Sequence, residues 1–320
     1  MILRGILLLI GLAILVGGAE FLVRGASSIS KKAGIPPIVI GLTIVAFGTS
    51  APELIVNIFS AVKGTTDLAI GNIIGSNIAN ILLILGVSAL IVNLKVQKNT
   101  TWKEIPFATL AVVIILFMAN DKILNNGTSN ILSRSDGLIL LSFLGIFMYY
   151  TFELFRKGKG GLEKKDIKSY STSASVMFTI GGILFLFLGG QLLVNQAVAL
   201  AKLAGLSEML VGLTIVAFGT SLPELATSVV AAKKGHADIA IGNVVGSNIF
   251  NIFWILGITS IIRPIPINAG ANMDIMICFT ATFILFLAMF LGTKHTLEKW
   301  QGKIFLISYL IYIIYLIKRG

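Results

Sequence analysis

The amino-acid sequence contains one 46-residue stretch twice. Residues 41–86 begin GLTIVAFGTSAPE and return 171 positions later as residues 212–257, which begin GLTIVAFGTSLPE; the copies align without a gap and share 30 of 46 residues. Each copy places Gly-Thr-Ser-x-Pro-Glu inside one apolar run and Gly-Ser-Asn-Ile-x-Asn inside the next. The repeat predicts two similar halves that carry polar and acidic residues inside apolar helices.

The composition is that of a polytopic membrane protein. The chain is 56% hydrophobic and 12% charged, whereas ordinary soluble domains are about 25% charged, and its mean hydropathy is +0.95. Most of the basic residues behind the net charge of +11 lie in short loops between apolar runs, which argues against a nucleic-acid-binding patch. The one cysteine, Cys278, excludes a disulfide framework.

Ten apolar runs are long enough to cross a membrane, five on each side of a polar loop at 156–172. An odd number of helices per repeat makes the second half enter the membrane from the opposite side. The predicted fold class is therefore all-α, with ten transmembrane helices in two inverted five-helix repeats. We expect a first repeat at 1–155, a linker at 156–173 and a second repeat at 174–320, with helices at 5–29, 36–62, 67–93, 103–119, 136–155, 174–203, 207–232, 238–262, 271–292 and 302–317.

The basic residues in the loops predict the orientation. With the N-terminus outside, 16 Lys and Arg fall in inside loops and 8 in outside loops, while Arg24 lies within helix 1. Positive charge favours the cytoplasmic side. The bias predicts a multi-pass protein of the cell membrane with both termini outside and a cytoplasmic loop at 156–172.

Predicted helices 2 and 7 are interrupted by the first motif. Pro52 has no N–H and clashes with the preceding turn, so helix 2 must kink or break there. Thr49 and Ser50 suit the cap of a restarting helix, and the break frees carbonyls such as that of Ala46. Glu53 places a carboxylate beside them. Helix 7 repeats this arrangement with Ala217, Thr220, Ser221, Pro223 and Glu224.

Predicted helices 3 and 8 carry polar stripes. Residues four apart lie on one helix face, and the stripes consist of Asn72, Ser76 and Asn80 in helix 3 and of Asn243, Ser247 and Asn251 in helix 8. Neighbouring glycines permit close approach to the broken helices. They are Gly71, Gly75, Gly242 and Gly246. Asp67 and Asp238 also repeat, but as acids at helix starts they complement the helix dipole.

The two half-sites together offer an oxygen cage with two carboxylates. Such a cage suits a hard cation, above all Ca²⁺, and the absence of thiolate and imidazole argues against zinc and copper. Two buried carboxylates without a cation or proton are unfavourable. Glu20 in helix 1 corresponds to Gln191, so the repeat does not require its charge.

GTSAPE with GSNIAN, and GTSLPE with GSNIFN, resemble the two α-repeats of the calcium/cation antiporter superfamily, and most closely those of the prokaryotic sodium/calcium exchangers. The resemblance implies that both glutamates and the carbonyls of the motif threonines bind calcium. It implies that sodium uses the same glutamates with motif serines and nearby carbonyls. Some members carry Asp where this chain has the uncharged Asn80 or Asn251. The predicted ligands are Glu53, Glu224, Thr49, Thr220, Ser50, Ser221, Ser76, Ser247, Asn80, Asn251, Ala46 and Ala217.

These features predict a secondary antiporter that exchanges Ca²⁺ for Na⁺ by alternating access, without a cofactor. The resemblance implies that helices 1 and 6 slide past the ion-binding bundle. The expected partners are the two transported ions and the lipid bilayer, with no nucleic acid, and the expected functional unit is a monomer. The alternative is a proton/calcium exchanger. A cation channel fits broken inverted repeats less well, and an intramembrane hydrolase lacks a histidine in a membrane helix.

Overall fold

The structure is a computed structural model that describes residues 2–124, 129–157, 169–203 and 217–319. Within these ranges eight helices are long and apolar enough to cross a membrane, or nine if one bent pair counts as a single span. The first part of predicted helix 7, at 204–216, and most of the predicted linker lie outside the described residues. We label the helices α1 (Ile2–Ala33), α2 (Pro37–Thr49 and Ala51–Lys63), α3 (Thr66–Ile91), α4 (Thr100–Met118), α5 (Arg134–Lys157), α6 (Thr172–Leu203), α7 (Ala217–Thr220 and Leu222–Lys233), α8 (Ala237–Ile262), α9 (Ala269–Ala288) and α10 (Lys299–Arg319), and a short helix, Asp121–Leu124, lies between α4 and α5.

The predicted breaks are present in α2 and α7. The two segments of α2 meet at 46°, with Ser50 between them at φ −83° and ψ 5°. Ser221 separates the described segments of α7 with nearly the same backbone angles, −87° and 3°. In each case proline follows two residues later and occupies the second position of the new helix, where its missing N–H costs little.

Helices α3 and α8 form the centre of the bundle. Their most apolar windows are 78% buried, compared with 17% for α5 and 22% for α10, which expose apolar side chains of the kind that face lipid. Both central helices widen to π-helical geometry, at Asn80–Leu85 and Phe250–Leu256. These segments contain Asn80 and Asn251. Single-turn π segments are frequent at functional sites.

Helices α1 and α6 pack antiparallel through glycines spaced seven residues apart. A Cβ atom on Gly18 would lie 2.6 Å from the backbone nitrogen of Leu186, and one on Gly182 would lie 2.4 Å from that of Leu22. Gly11 and Gly189, each seven residues or about two helical turns away, make the corresponding approaches to the backbones of Leu193 and Leu15. Contacts related by the offset of 171 residues thus occur in reciprocal pairs.

The broken helix α2 also crosses α8 at glycines. The backbones of Gly41 and Gly242 are close enough that a Cβ on either would lie 3.0 Å from the Cα of the other, and Gly246 approaches the carbonyl of Leu42. The predicted role of Gly242 and Gly246 is therefore confirmed. By symmetry Gly71 and Gly75 would meet the first segment of helix 7, whose residues 204–216 lie outside the described residues. The same prediction for these two glycines is therefore not tested.

Four two-residue strands, which the sequence analysis did not predict, join the two halves. They are β1 (Leu94–Lys95), β2 (Ile131–Leu132), β3 (Ile265–Pro266) and β4 (Thr296–Leu297). Strand β1 pairs antiparallel with β4, and β2 with β3. Strands β1 and β3 occupy equivalent positions in the two repeats. Each of them pairs with a strand of the other half. Strands this short carry no recognisable periodicity in sequence.

The α1–α6 contact gives a test of this packing. Replacing Gly18 or Gly182 with Ala would force a methyl group into backbone atoms, so we expect a loss of about 1–3 kcal/mol in stability. Thermal unfolding of the detergent-solubilised protein measures it. Gly17→Ala is the matched control, because no described atom lies within 4 Å of the added Cβ. Equal melting temperatures for Gly17→Ala and Gly18→Ala would contradict the packing.

Candidate cation-binding site

The two broken helices bring two carboxylates into the interior. Glu53 and Glu224 each lie in the first turn of the helix that follows the break, where the helix dipole favours negative charge. Both side chains are only 1% exposed. Glu53 and Glu224 lie close enough to interact electrostatically, so the carboxylates of the two halves are neighbours in the interior.

Hydroxyl groups connect the half-sites across the repeat. Ser50 in α2 donates to Oε1 of Glu224 at 3.2 Å. Thr49 donates to Oδ1 of Asn243 in α8 at 3.0 Å, and the equivalent Thr220 donates to Oδ1 of Asn72 in α3 at 3.2 Å. Each broken helix is therefore held by the polar stripe of the opposite half.

The serines of the two polar stripes also lie at the carboxylates. Ser76 lies near Glu53, and Ser247 near Glu224, although neither hydroxyl makes a hydrogen bond to the carboxylate. Both serines are buried. The structure thus brings the predicted serines of α3 and α8 to the carboxylates, each to the glutamate of its own half.

Seven buried oxygens of the predicted ligands have no hydrogen-bond partner among the described residues. In the described part of the chain thirteen buried side-chain nitrogen and oxygen atoms lack a hydrogen-bond partner, and these seven are more than half of them. A buried polar atom without a partner is costly, and a cation bound by these oxygens would remove that cost. They are Oε2 of Glu53 and Glu224, Oγ of Ser76, Ser221 and Ser247, and Oδ1 of Asn80 and Asn251.

The backbone at the first break differs from the expectation. The carbonyl of Ala46 is not freed, because it accepts the N–H of Ser50 at 3.0 Å and the Thr49 hydroxyl at 3.3 Å. In α7 the N–H of Ser221 donates to the carbonyl of Phe218 at 3.2 Å. The side chain of Ala217 lies outside the described residues. Pro52 lacks the N–H that would normally meet Gly48, so the Gly48 carbonyl loses its helical partner.

Ser50 does not act as the predicted helix cap. It occupies the N-cap position, but its side chain makes no capping hydrogen bond, since its hydroxyl is directed to Glu224. Thr49 likewise bonds Asn243 and Ala46. A sequence pattern identifies hydroxyls at a helix start, but the nearby carboxylate of the other half is a competing acceptor that only the tertiary structure supplies.

Sequence reasoning also missed the roles of Asn77 and Asn248. Both are buried and hydrogen-bonded to each other's backbone carbonyl at 3.3 Å. The signal was present, since both belong to the repeated Gly-Ser-Asn-Ile-x-Asn motif. Reading each stripe at four-residue spacing selected Asn80 and Asn251 and passed over the asparagine one position after each serine.

The site consists of oxygen ligands alone. Two carboxylates supply a charge of −2 when ionised, and the remaining candidates are hydroxyls, amides and carbonyls. In the described chain no group of three or more His, Cys, Asp and Glu residues is positioned to hold a metal ion. Mixed carboxylate and neutral oxygen ligands are the set that Ca²⁺ accepts.

The comparisons agree with this arrangement. The sodium/calcium exchanger protein family matches residues 4–153 and 174–318, and the chain belongs to that family. The chain is 37% identical to the putative antiporter CaxA of Alkalimonas amylolytica over 98% of both chains. It is 30% identical to the sodium/calcium exchanger MaX1 of Methanosarcina acetivorans over 97% of both. A solved structure of the sodium-calcium exchanger NCX_Mj, soaked with 10 mM Na⁺ and zero Ca²⁺, matches with a TM-score of 0.83 at 32% identity, over 98% of this chain and 99% of that one.

The predicted resemblance is therefore confirmed. The protein is a membrane antiporter of the sodium/calcium exchanger family, built from transmembrane helices. Its relatives are exchangers and antiporters and not enzymes, with transported ions and no indicated cofactor.

The two carboxylates provide the first test of the site. Glu53→Gln or Glu224→Gln removes half of the formal charge and keeps the side-chain shape, so we expect Ca²⁺ affinity to fall on the order of 100-fold, in line with the cost of breaking a buried charge pair. Calorimetric titration of the purified protein measures it. Asp67→Asn is the control, since an exposed acid at a helix start contributes only about 0.3–1 kcal/mol. Near-normal affinity in either glutamine variant would exclude a shared site.

Proposed function

We propose that this protein exchanges Ca²⁺ for Na⁺ across the cell membrane by alternating access at the site between α2, α3, α7 and α8. The observation that supports it is the set of seven buried oxygens of the predicted ligands, those of Glu53 and Glu224 among them, that have no hydrogen-bond partner among the described residues. Ca²⁺ and Na⁺ share oxygen ligands, so one cage can serve both in turn. The names of MaX1 and NCX_Mj as sodium/calcium exchangers point the same way.

In this proposal the ligands are the twelve predicted residues, with different weights. Glu53 and Glu224 carry the charge, and one Ca²⁺ or two Na⁺ neutralise it. The serines and asparagines supply neutral oxygens, together with the carbonyls of Thr49 and Thr220. The carbonyl of Ala46, which already has two donors, is the weakest candidate.

The proposed topology has ten spans in two inverted repeats, with residues 1–155 and 174–320 on either side of a cytoplasmic linker and both termini outside. Reciprocal contacts at the 171-residue offset support the two-fold relation. The antiparallel packing of the equivalent helices α1 and α6 supports the inversion, because a two-fold axis in the membrane plane requires it. In this proposal a single chain is the functional unit.

Sodium coupling can be separated from proton coupling in reconstituted vesicles. Sodium depends on a complete shell of neutral oxygens, whereas calcium draws most of its binding from the carboxylates. We expect Ser76→Ala and Ser247→Ala to raise the half-saturating Na⁺ concentration for Ca²⁺ efflux about fivefold, as for the loss of one polar contact, and to change equilibrium Ca²⁺ binding less.

The control for this experiment is Ser142→Ala in α5, because Ser142 is exposed and bonds only the Leu138 carbonyl of its own helix. Efflux is measured first against external Na⁺ and then against a pH gradient at fixed Na⁺. If efflux ignores Na⁺ and follows the pH gradient, the protein is a proton/calcium exchanger and the proposed sodium coupling is wrong.

An ion pair distinguishes the two end states of the proposed cycle. Glu20 in α1 pairs with Lys234 at the end of α7 and with Arg24 at 2.6 Å. The equivalent positions are Gln191 and Lys63, which cannot form an ion pair. Alternating access in inverted repeats exchanges the roles of the halves. The contact between α1 and α7 in this state therefore corresponds to a contact between α6 and α2 in the other end state. The first contact contains an ion pair and the second does not.

Glu20→Gln should therefore lower the population of the state described here. Both side chains are about 30% exposed, so the pair is worth at most about 1 kcal/mol, a shift of roughly fivefold. Spin labels at Lys32 and Lys233, both exposed, report the distance between α1 and α7. Glu153→Gln, which removes a surface ion pair within α5, should leave the distance distribution unchanged. An identical distribution in Glu20→Gln would refute the assignment.

A further inference from the structure

Four buried asparagines of α3 and α8 form one hydrogen-bonded cluster at the interface between the halves, which we call the asparagine ring: Asn77 and Asn248 close a ring of two bonds, and Asn80 and Asn251 are each attached to it by one. Asn77 donates to the backbone carbonyl of Asn248, and Asn248 donates to that of Asn77, both at 3.3 Å. Asn80 donates to Oδ1 of Asn248, and Asn251 donates to Oδ1 of Asn77, both at 2.9 Å. Every one of these bonds joins one half of the chain to the other.

The ring uses all polar side-chain atoms of Asn77 and Asn248. In each of these two residues the amide nitrogen serves the opposite backbone and the amide oxygen accepts from the opposite side chain. The backbone bonds fix which end of the amide is the oxygen, because a carbonyl accepts only from the NH₂ end. Each polar side-chain atom of these two residues thus already has a partner across the interface.

The other two asparagines are left half-satisfied. Asn80 and Asn251 each spend their NH₂ group on the ring, and Oδ1 of each is buried without a partner among the described residues. An amide that turned over would present NH₂ in place of this oxygen, and a cation is repelled by NH₂. The orientation of these two amides therefore decides whether they attract or repel a cation.

We propose that Asn77 and Asn248 are positioning residues of the cation site, each of which holds the asparagine of the opposite helix with its oxygen toward the ion. Asn248 orients Asn80, and Asn77 orients Asn251. The inference rests on the proposed function, since it assigns a role to Asn80 and Asn251 as ligands. In this proposal Asn77 and Asn248 do not contact the ion, but they fix the orientation of Asn251 and Asn80, which do.

The ring also requires an uncharged side chain that can donate a hydrogen bond at positions 80 and 251. An ionised Asp there would place an acceptor oxygen against Oδ1 of Asn248 or Asn77, where a donor is needed. Both positions therefore contribute neutral oxygens, and the ring leaves the formal charge of the site to Glu53 and Glu224.

Asn77 and Asn248 could instead serve only to hold α3 against α8. Double variants that combine each of these residues with Asn80 or Asn251 distinguish this structural role from the proposed positioning role. Asn77→Ala should raise the dissociation constant for Ca²⁺ about fivefold to tenfold, as expected for one lost polar contact. The same factor should persist in the Asn80→Ala background and fall below about twofold in the Asn251→Ala background, because Asn77 acts through Asn251. For Asn248→Ala the same factor should persist in the Asn251→Ala background and fall below about twofold in the Asn80→Ala background, because Asn248 acts through Asn80.

The measurement is calorimetric Ca²⁺ titration of the full-length purified chain, with Na⁺-driven Ca²⁺ uptake in vesicles as a second readout. Elution volume and melting temperature report folding. Where an alanine variant does not fold, Asn77→Ser and Asn248→Ser, which keep a polar group beside the buried carbonyl, run through the same cycle.

Equal factors in all backgrounds would show that Asn77 and Asn248 only join the helices, and would overturn the proposal. Unchanged Ca²⁺ affinity in both Asn80→Ala and Asn251→Ala would also overturn it, since no ligand would remain for the ring to orient. That result would leave the proposed exchange intact as long as Glu224→Gln abolishes binding. Failure of the proposed function itself is recognised separately, by normal Ca²⁺ binding in Glu224→Gln.

Discussion

The structure depends on two like charges buried in the same place. Glu53 and Glu224 are almost fully buried, and each comes from a broken helix of a different half. Inside a membrane protein two adjacent carboxylates cannot both remain ionised without a cation or proton between them. The unpartnered oxygens of the predicted ligands point the same way, because a bound cation would remove the cost of burying them. In the proposed exchange this penalty disfavours crossing without cargo.

The gapless repeat explains why this site can be built at an interface between halves. An offset that holds over both motifs lets contacts recur with the roles of the halves exchanged. Gly18 and Gly189, Thr49 and Thr220, and the four asparagines all obey it. The bonds that join Thr49, Thr220 and the four asparagines to other side chains all cross from one half to the other, so the polar centre of the bundle lies at the interface between its halves.

The sequence was sufficient to predict the parts of the site that follow from single residues. Pro52 in the middle of a long apolar run must kink or break the helix, and Ser76 and Asn80 share a face because of helical spacing. The partners of Ser50 and Asn77 could not be predicted, because they depend on how α2 meets α7 and on the register between α3 and α8. The Ala46 carbonyl was misjudged for a local reason: the N–H of Ser50 stays within helical reach despite the break. The ten predicted spans compare with eight or nine in the described residues, since part of α7 lies outside them.

Two kinds of asymmetry remain between the halves, and they have different consequences. Ser50 donates to Glu224, whereas the identical Ser221 has no described partner. This difference arises from conformation, and the two-fold relation would reverse it in the opposite end state. Glu20 and Gln191 differ in sequence, and no conformational change makes them equal. Two identical halves would give end states of equal free energy. In the proposed cycle only residues of the second kind bias the equilibrium between the end states, so the end state that the protein prefers in the absence of gradients is encoded outside the repeated pair of motif glutamates, at positions where the repeat is imperfect.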